Sequence, residues 1–120
     1  MRLYGRTCNI PVTAELKELS DNSLINEKEG VPYLPQGYYF ISDGSYFTDS
    51  ESKILINCAD LVNCVNHPDG KRLNGCCGLD GLDGPNKVCM NGHEIATEKS
   101  DCWIANAVVL ENSAVNTIPD

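Results

Sequence analysis

Hydrophobic residues in this chain come in short, often alternating runs, each ended by a polar, glycine-rich or proline-rich stretch. That pattern predicts a small sheet of short strands rather than a helical bundle. The strongest signal is Gly37-Tyr38-Tyr39-Phe40-Ile41-Ser42-Asp43-Gly44-Ser45-Tyr46-Phe47. Aromatic and β-branched residues flank Asp43-Gly44, a dipeptide that accepts positive φ, so a tight hairpin is expected there. Lys53-Ile54-Leu55-Ile56 reads as a further strand. Lys87-Val88-Cys89 and Glu94-Ile95-Ala96-Thr97 read as two strands around an Asn91-Gly92 turn, and Trp103 through Leu110 as a last apolar one. Arg2-Leu3-Tyr4 forms a short opening strand.

Helical spacing is found twice. Leu16 and Leu19 lie i, i+3 behind a possible Thr13 cap. Cys58, Leu61, Val62 and Val65 share one face behind an Asn57 cap, which predicts a short helix over 58–65. Residues 20–36 are a polar loop broken by Gly30, Pro32 and Pro35, and residues 67–91 are turn-rich. Turns of that kind have no ladder of hydrogen bonds to hold them, so a separate fixing device is expected. The predicted fold is α+β but mostly β: a small antiparallel sheet, one or two short helices and a turn-rich lobe stabilised by zinc. Residues 1–112 form one domain, with 113–120 a loose C-terminal tail.

Charge narrows the partners. The chain has 120 residues and a net charge of −8, with a pI near 4.6. Such a field repels nucleic-acid phosphates and anionic membranes and suits a basic protein partner. No apolar run reaches the length of a membrane span, and Met1 to Cys8 lacks the apolar core of a secretory signal. The expected location is therefore the cytosol, where thiols stay reduced and serve as metal ligands or redox groups more often than as disulfides.

Seven cysteines make this point central. A structural zinc site needs four thiolate or imidazole ligands in tetrahedral array. Cys89 and His93 bracket a tight Asn91-Gly92 turn, one residue wider than a Cys-x-x-Cys hook. Cys76 or Cys77, in a glycine-bounded turn, and Cys102 supply further ligands in the 76–102 segment. Cys8 competes for the fourth place. Gly5-Arg6-Thr7-Cys8-Asn9 resembles half of a zinc knuckle, with Gly5 where a first cysteine belongs. One structural Zn2+ is expected from the set Cys8, Cys76, Cys77, Cys89, His93 and Cys102. Cys58 and Cys64 would lie about 240° apart on a helix, so both read as packing residues. A two-ion scheme, with Cys58, Cys64, Cys76 and Cys77 around the second ion, is opposed by the same geometry. His67, in a Pro-Asp-Gly turn, reads as solvated.

Other chemistry is weaker. Asp80, Asp83 and Asn86 lack the alternation and distal glutamate of a calcium loop. The His-x-Glu and Pro-Cys-x-x-Cys pattern of a zinc deaminase is absent. Vicinal Cys76-Cys77 has no nearby basic activator for thiol redox work. No residue is assigned a catalytic role.

The runs Arg72-Leu73-Asn74-Gly75-Cys76-Cys77-Gly78-Leu79-Asp80-Gly81, Cys89-Met90-Asn91-Gly92-His93-Glu94 and Ser100-Asp101-Cys102-Trp103 resemble small bacterial cysteine-rich, zinc-ribbon-like proteins of uncharacterised function. The resemblance covers about a third of the chain. It implies a zinc-binding bacterial cytosolic domain and names no activity. The expected function is a protein-binding or inhibitory module, one form of which is an immunity protein neutralising a basic toxin. The alternative is a thiol- or metal-dependent enzyme, redox or hydrolytic, using Cys76, Cys77 and His93.

Overall fold

Alternation along two strands decides the architecture. In Ile54-Leu55-Ile56 the middle residue faces one way and its neighbours the other, and Ala107-Val108-Val109-Leu110 repeats this alternation. The computed structural model, which describes residues 1–117, pairs these strands antiparallel with Leu55 opposite Val109 and Ile56 opposite Val108. Ile56, Val108 and Leu110 join Leu3, Val12, Leu16, Ile95 and Val115 in one core cluster. Leu55, Ala107 and Val109 join Leu19, Tyr33, Leu34 and Phe47 in a second. The sheet is therefore covered on both faces, and for that reason its last long strand is apolar at every position.

Nine strands are present among the described residues: β1 (Tyr4–Gly5), β2 (Lys17–Glu18), β3 (Tyr38–Ile41), β4 (Ile54–Ile56), β5 (Cys64–Asn66), β6 (Lys87–Cys89), β7 (Glu94–Lys99), β8 (Ala107–Leu110) and β9 (Val115–Asn116). Seven of them form one sheet in the order β2-β3-β4-β8-β7-β6-β5, and β1 pairs with β9 in a small second sheet. All pairings are antiparallel except β2 with β3.

The mostly-β expectation holds, and the β6–β7 hairpin around Asn91-Gly92 forms where the sequence places it. The expected helices do not. Among the described residues there is no α-helix, only single 3-10 turns at Asn22–Leu24, Cys58–Asp60, Gly70–Arg72 and Asn112–Ala114. Asn57 does cap its turn, accepting from the Ala59 N–H at 2.8 Å. The helix then stops because the backbone is claimed elsewhere. The Val62 N–H donates to Val12 O, the Asp60 carbonyl accepts from Ala14 N–H, and Asn63 turns to φ 55° before β5 begins. Likewise Lys17 and Leu19 donate to Gly37 O and Tyr39 O, so this segment runs beside β3. Leu16 and Leu19 enter different core clusters instead of sharing one helix face.

The first hairpin is also wider than expected. β3 pairs with β4, not with a strand after Asp43-Gly44. Ser42 and Asp43 side chains accept from the Gly44 and Ser45 N–H groups, which turns the chain into a loop instead of a two-residue reversal. That loop delivers Tyr46 and Phe47 to Tyr33, with ring centroids 4.7 to 5.3 Å apart. At the C-terminal end, Val115 is buried and pairs with Gly5, so part of the expected loose tail closes the fold. Residues 118–120 of that tail lie outside the described residues.

Candidate metal centre

Cys8 lies at the tip of a reversal between Leu3 and Val12. The Gly5 N–H donates to Ile10 O, the Asn9 N–H to Gly5 O, and Val12 N–H to Leu3 O. Asn9 takes φ 61°, the left-handed conformation that an asparagine tolerates. The reversal folds Cys8 back over Gly5 so closely that a Cβ on Gly5 would stand 2.6 Å from Cys8 Sγ. At the missing cysteine of the half-knuckle, glycine thus leaves room for the sulfur where any side chain would make it shift.

Cys89 and His93 close the β6–β7 turn. Cys89 N–H donates to His93 O and Gly92 N–H to Cys89 O, both at 2.9 Å. Gly92 takes φ 86°, where a side chain would strain the turn. Cys89 Sγ and His93 Nδ1 stand 3.3 Å apart. Cys8, Cys89 and His93 bring their ligand atoms within 4.8 Å of one another. Around a tetrahedral zinc, a sulfur and a nitrogen are separated by about 3.6 Å and two sulfurs by about 3.8 Å. The three groups are thus spaced to share an ion. Burial alone would push the Cys89 thiol up, yet N–H groups of His93 and Asn91, the imidazole and the Cys8 thiol bring it down to about 7.

Cys64 adjoins this set. It stands directly opposite Cys89 in the β5–β6 register. Burial pushes its thiol up to about 11, and electrostatic repulsion from the Cys89 and Cys8 sulfurs adds to this. Cys58 is pushed up to about 12, first by burial and then by Glu98. Cys58 remains a packing thiol, as the sequence suggests.

Cys76, Cys77 and Cys102 gather separately, with their sulfurs also within 4.8 Å of one another. The expected single site from the 76–102 segment is therefore divided between two clusters. Cys77 and Cys102 stand as a near-disulfide pair with Cα atoms 5.6 Å apart. Cys76 keeps a free, exposed thiol 3.8 Å from Cys77 Sγ. The anchor here is Asp101, a buried carboxylate that sequence reasoning missed. It accepts from the Cys76, Cys77 and Cys102 N–H groups and from the Trp103 indole, at 2.8 to 2.9 Å. The Cys77 and Cys76 N–H bonds, with those of Cys102 and Trp103, hold its carboxyl well below the usual carboxylate range against the opposing effect of burial.

Contacts of this kind also fasten the rest of the turn-rich lobe. Glu94 Oε2 accepts from His67 Nε2 and Arg72 Nη1, each at 2.9 Å. His67 Nδ1 in turn accepts from the Asp69 N–H, so this histidine is a turn fastener. Buried Asn86 exchanges two hydrogen bonds with the Glu98 backbone and so prolongs the β6–β7 pairing with its side chain.

A cleft of about 520 Å³ is lined by Phe47, Asp49, Asp80, Leu82, Lys99 and Trp103 among others. Leu82 and Trp103 are 70% and 49% exposed. Among the described residues, no helix is long and apolar enough to cross a membrane. No protein-family model, curated protein or solved structure matches this chain.

Proposed function

We propose that this chain is a zinc-stapled, non-catalytic β-module that binds a basic protein segment. The observation that carries the reading is the cleft. Two large apolar side chains, Leu82 and Trp103, stand exposed at its edge, and exposed anchors of this kind are stabilised when a partner covers them. Asp49 and Asp80 line the same opening with Lys99, which is paired with Asp49 at 3.3 Å. The overall charge of −8 steers a basic partner toward it. Zinc at Cys8, Cys89 and His93 would fasten the N-terminal reversal to the β6–β7 turn and keep the scaffold rigid. Inhibition of a basic toxin in the cytosol is one use that such a module suits. Selection of random displayed peptides on the immobilised protein tests the reading. Enrichment of lysine or arginine beside an apolar anchor, lost in Trp103→Ala, is the expected result. Enrichment of acidic peptides, or binding indifferent to Trp103, would remove it.

A second reading rests on the free Cys76 thiol beside the Cys77–Cys102 pair, closed as a disulfide. That arrangement suits thiol–disulfide exchange with a dithiol substrate. The substrate would be oxidised to its disulfide while Cys77 and Cys102 take up two electrons and two protons. His93 gathers with Cys8 and Cys89, so it gives Cys76 and Cys77 no basic partner for hydrolysis. Oxidation of a dithiol peptide, stoichiometric in protein and absent in Cys77→Ser, tests this reading.

A further inference from the structure

We propose that Cys64 is the fourth ligand of the metal centre, so that Cys8, Cys64, Cys89 and His93 form a closed site of three thiolates and one imidazole. The inference rests on the zinc reading above and names what completes that site. It also decides the kind of chemistry open to it, because three protein ligands leave a coordination position for water or substrate and four do not.

The strand register is the first observation. Cys64 pairs directly with Cys89 across β5 and β6. Opposed residues in an antiparallel pair point to the same face, with Cβ atoms about 4.5 to 5.5 Å apart. Cys64 Sγ lies outside the group of ligand atoms within 4.8 Å of one another, so ion binding requires the Cys64 side chain to turn and bring its sulfur to about 3.8 Å from that of Cys89, the separation a tetrahedral zinc sets. Packing is the second observation. Cys8 and Cys64 both lie against the core cluster that contains Cys89, on the face of Ile56 and Val108.

The third observation is a tie between the two loops. Asn63, next to Cys64, donates from its side-chain amide to Pro11 O at 2.8 Å, on the reversal that carries Cys8. Its left-handed backbone, φ 55°, is the hinge that lets the chain leave the Cys58–Asp60 turn and enter β5 beside Cys89. The same hinge prevents the helix on which Cys64 would have faced away. Cys58 packs on the same core but lies on the 3-10 turn ahead of Asn63, outside the β5–β6 pairing that sets Cys64 opposite Cys89. It serves as the matched control.

The test uses the full chain with the Cys77–Cys102 pair closed and the other thiols reduced, and zinc itself. Alkylation of the wild-type protein, with cysteines identified by mass spectrometry, should show Cys8, Cys64 and Cys89 protected together by zinc and released together by a chelator. In parallel, Cys64→Ser should weaken zinc binding at least about tenfold, since even partners one shell beyond the ligands cost about 10- to 100-fold. Cys64→His, which restores a ligand atom, should recover part of the loss, and Cys58→Ser should bind as wild type does. Cobalt in place of zinc should show weaker thiolate charge-transfer absorption in Cys64→Ser than in the wild type. If zinc protects Cys8 and Cys89 while Cys64 alkylates at its zinc-free rate, the fourth-ligand assignment falls and the zinc reading stands. If the wild-type protein takes up no zinc and protects none of the three, both fall together. The alkylation arm needs no variant, so a Cys64→Ser protein that failed to fold would not shield the proposal.

Discussion

At the scale of single residues, small side chains and one carboxylate control where the sulfurs stand. Gly5 is the plainest case, because any Cβ there meets Cys8 Sγ at 2.6 Å. Gly5→Ala should therefore move Cys8 and weaken zinc binding about tenfold or more, read by competition with a chromophoric chelator. Wild-type affinity in that variant would show that the reversal yields freely. Asp101 has the opposite task of holding an exposed thiol loop by its backbone. Its folded pKa is depressed chiefly by the Cys77 and Cys76 N–H bonds, so its contribution is complete above the unfolded pKa of about 3.9. It is lost as pH falls from there through the folded pKa. The metal-free, disulfide-closed protein should thus lose stability on acidification below about pH 4. Asp101→Asn should be less stable near neutral pH and show a flatter acid limb in thermal melts at a series of pH values.

At the scale of elements, side chains substitute for missing ladder. Asn86 donates its amide to Glu98 O and accepts from Glu98 N–H, standing in for a strand residue at a site with no solvent access. Asn86→Ala leaves two backbone groups without partners and should cost about 1–3 kcal/mol, measured by urea unfolding. A cost near zero would mean that water takes the place of the amide. The two helix expectations failed at this scale for one reason. Apolar spacing over 13–19 and 58–65 matches a helix face, but Ala14 N–H, Lys17 N–H, Leu19 N–H and Val62 N–H are all spent on other segments. Spacing in one segment does not reveal which distant backbone will claim its donors.

At the scale of the molecule, what was legible follows sequence distance. The β6–β7 hairpin could be read because Asn91-Gly92 and its flanking strands lie within one short window. The pairing of Cys89 with His93 was visible for the same reason. Cys8 could be suspected from its half-knuckle, but its approach to Cys89 depends on the whole sheet being assembled. Cys64 reads as a packing residue because helical spacing spans a segment where a left-handed Asn63 and a strand occur. Asp101 carried no signal, as a lone aspartate before a cysteine resembles many others. The two covered faces could be inferred from the unbroken apolar run of β8, yet the residues that cover them come from both ends of the chain.

The outermost position of β5 has a further consequence. The sheet ends there in three residues, with Val65 47% exposed, and at its other end in charged, exposed Lys17 and Glu18. A charged two-residue border repels strand addition, whereas β5 depends on being held in place. If the metal holds it through Cys64, depletion of zinc frees the strand and bares the backbone of Val88 and Cys89 as a template for another copy. Light scattering after addition of a chelator should then rise with protein concentration, and it should rise without a chelator in Cys64→Ser. Under this view the ion guards solubility as much as shape, and zinc starvation would convert a dispersed protein into a self-associating one.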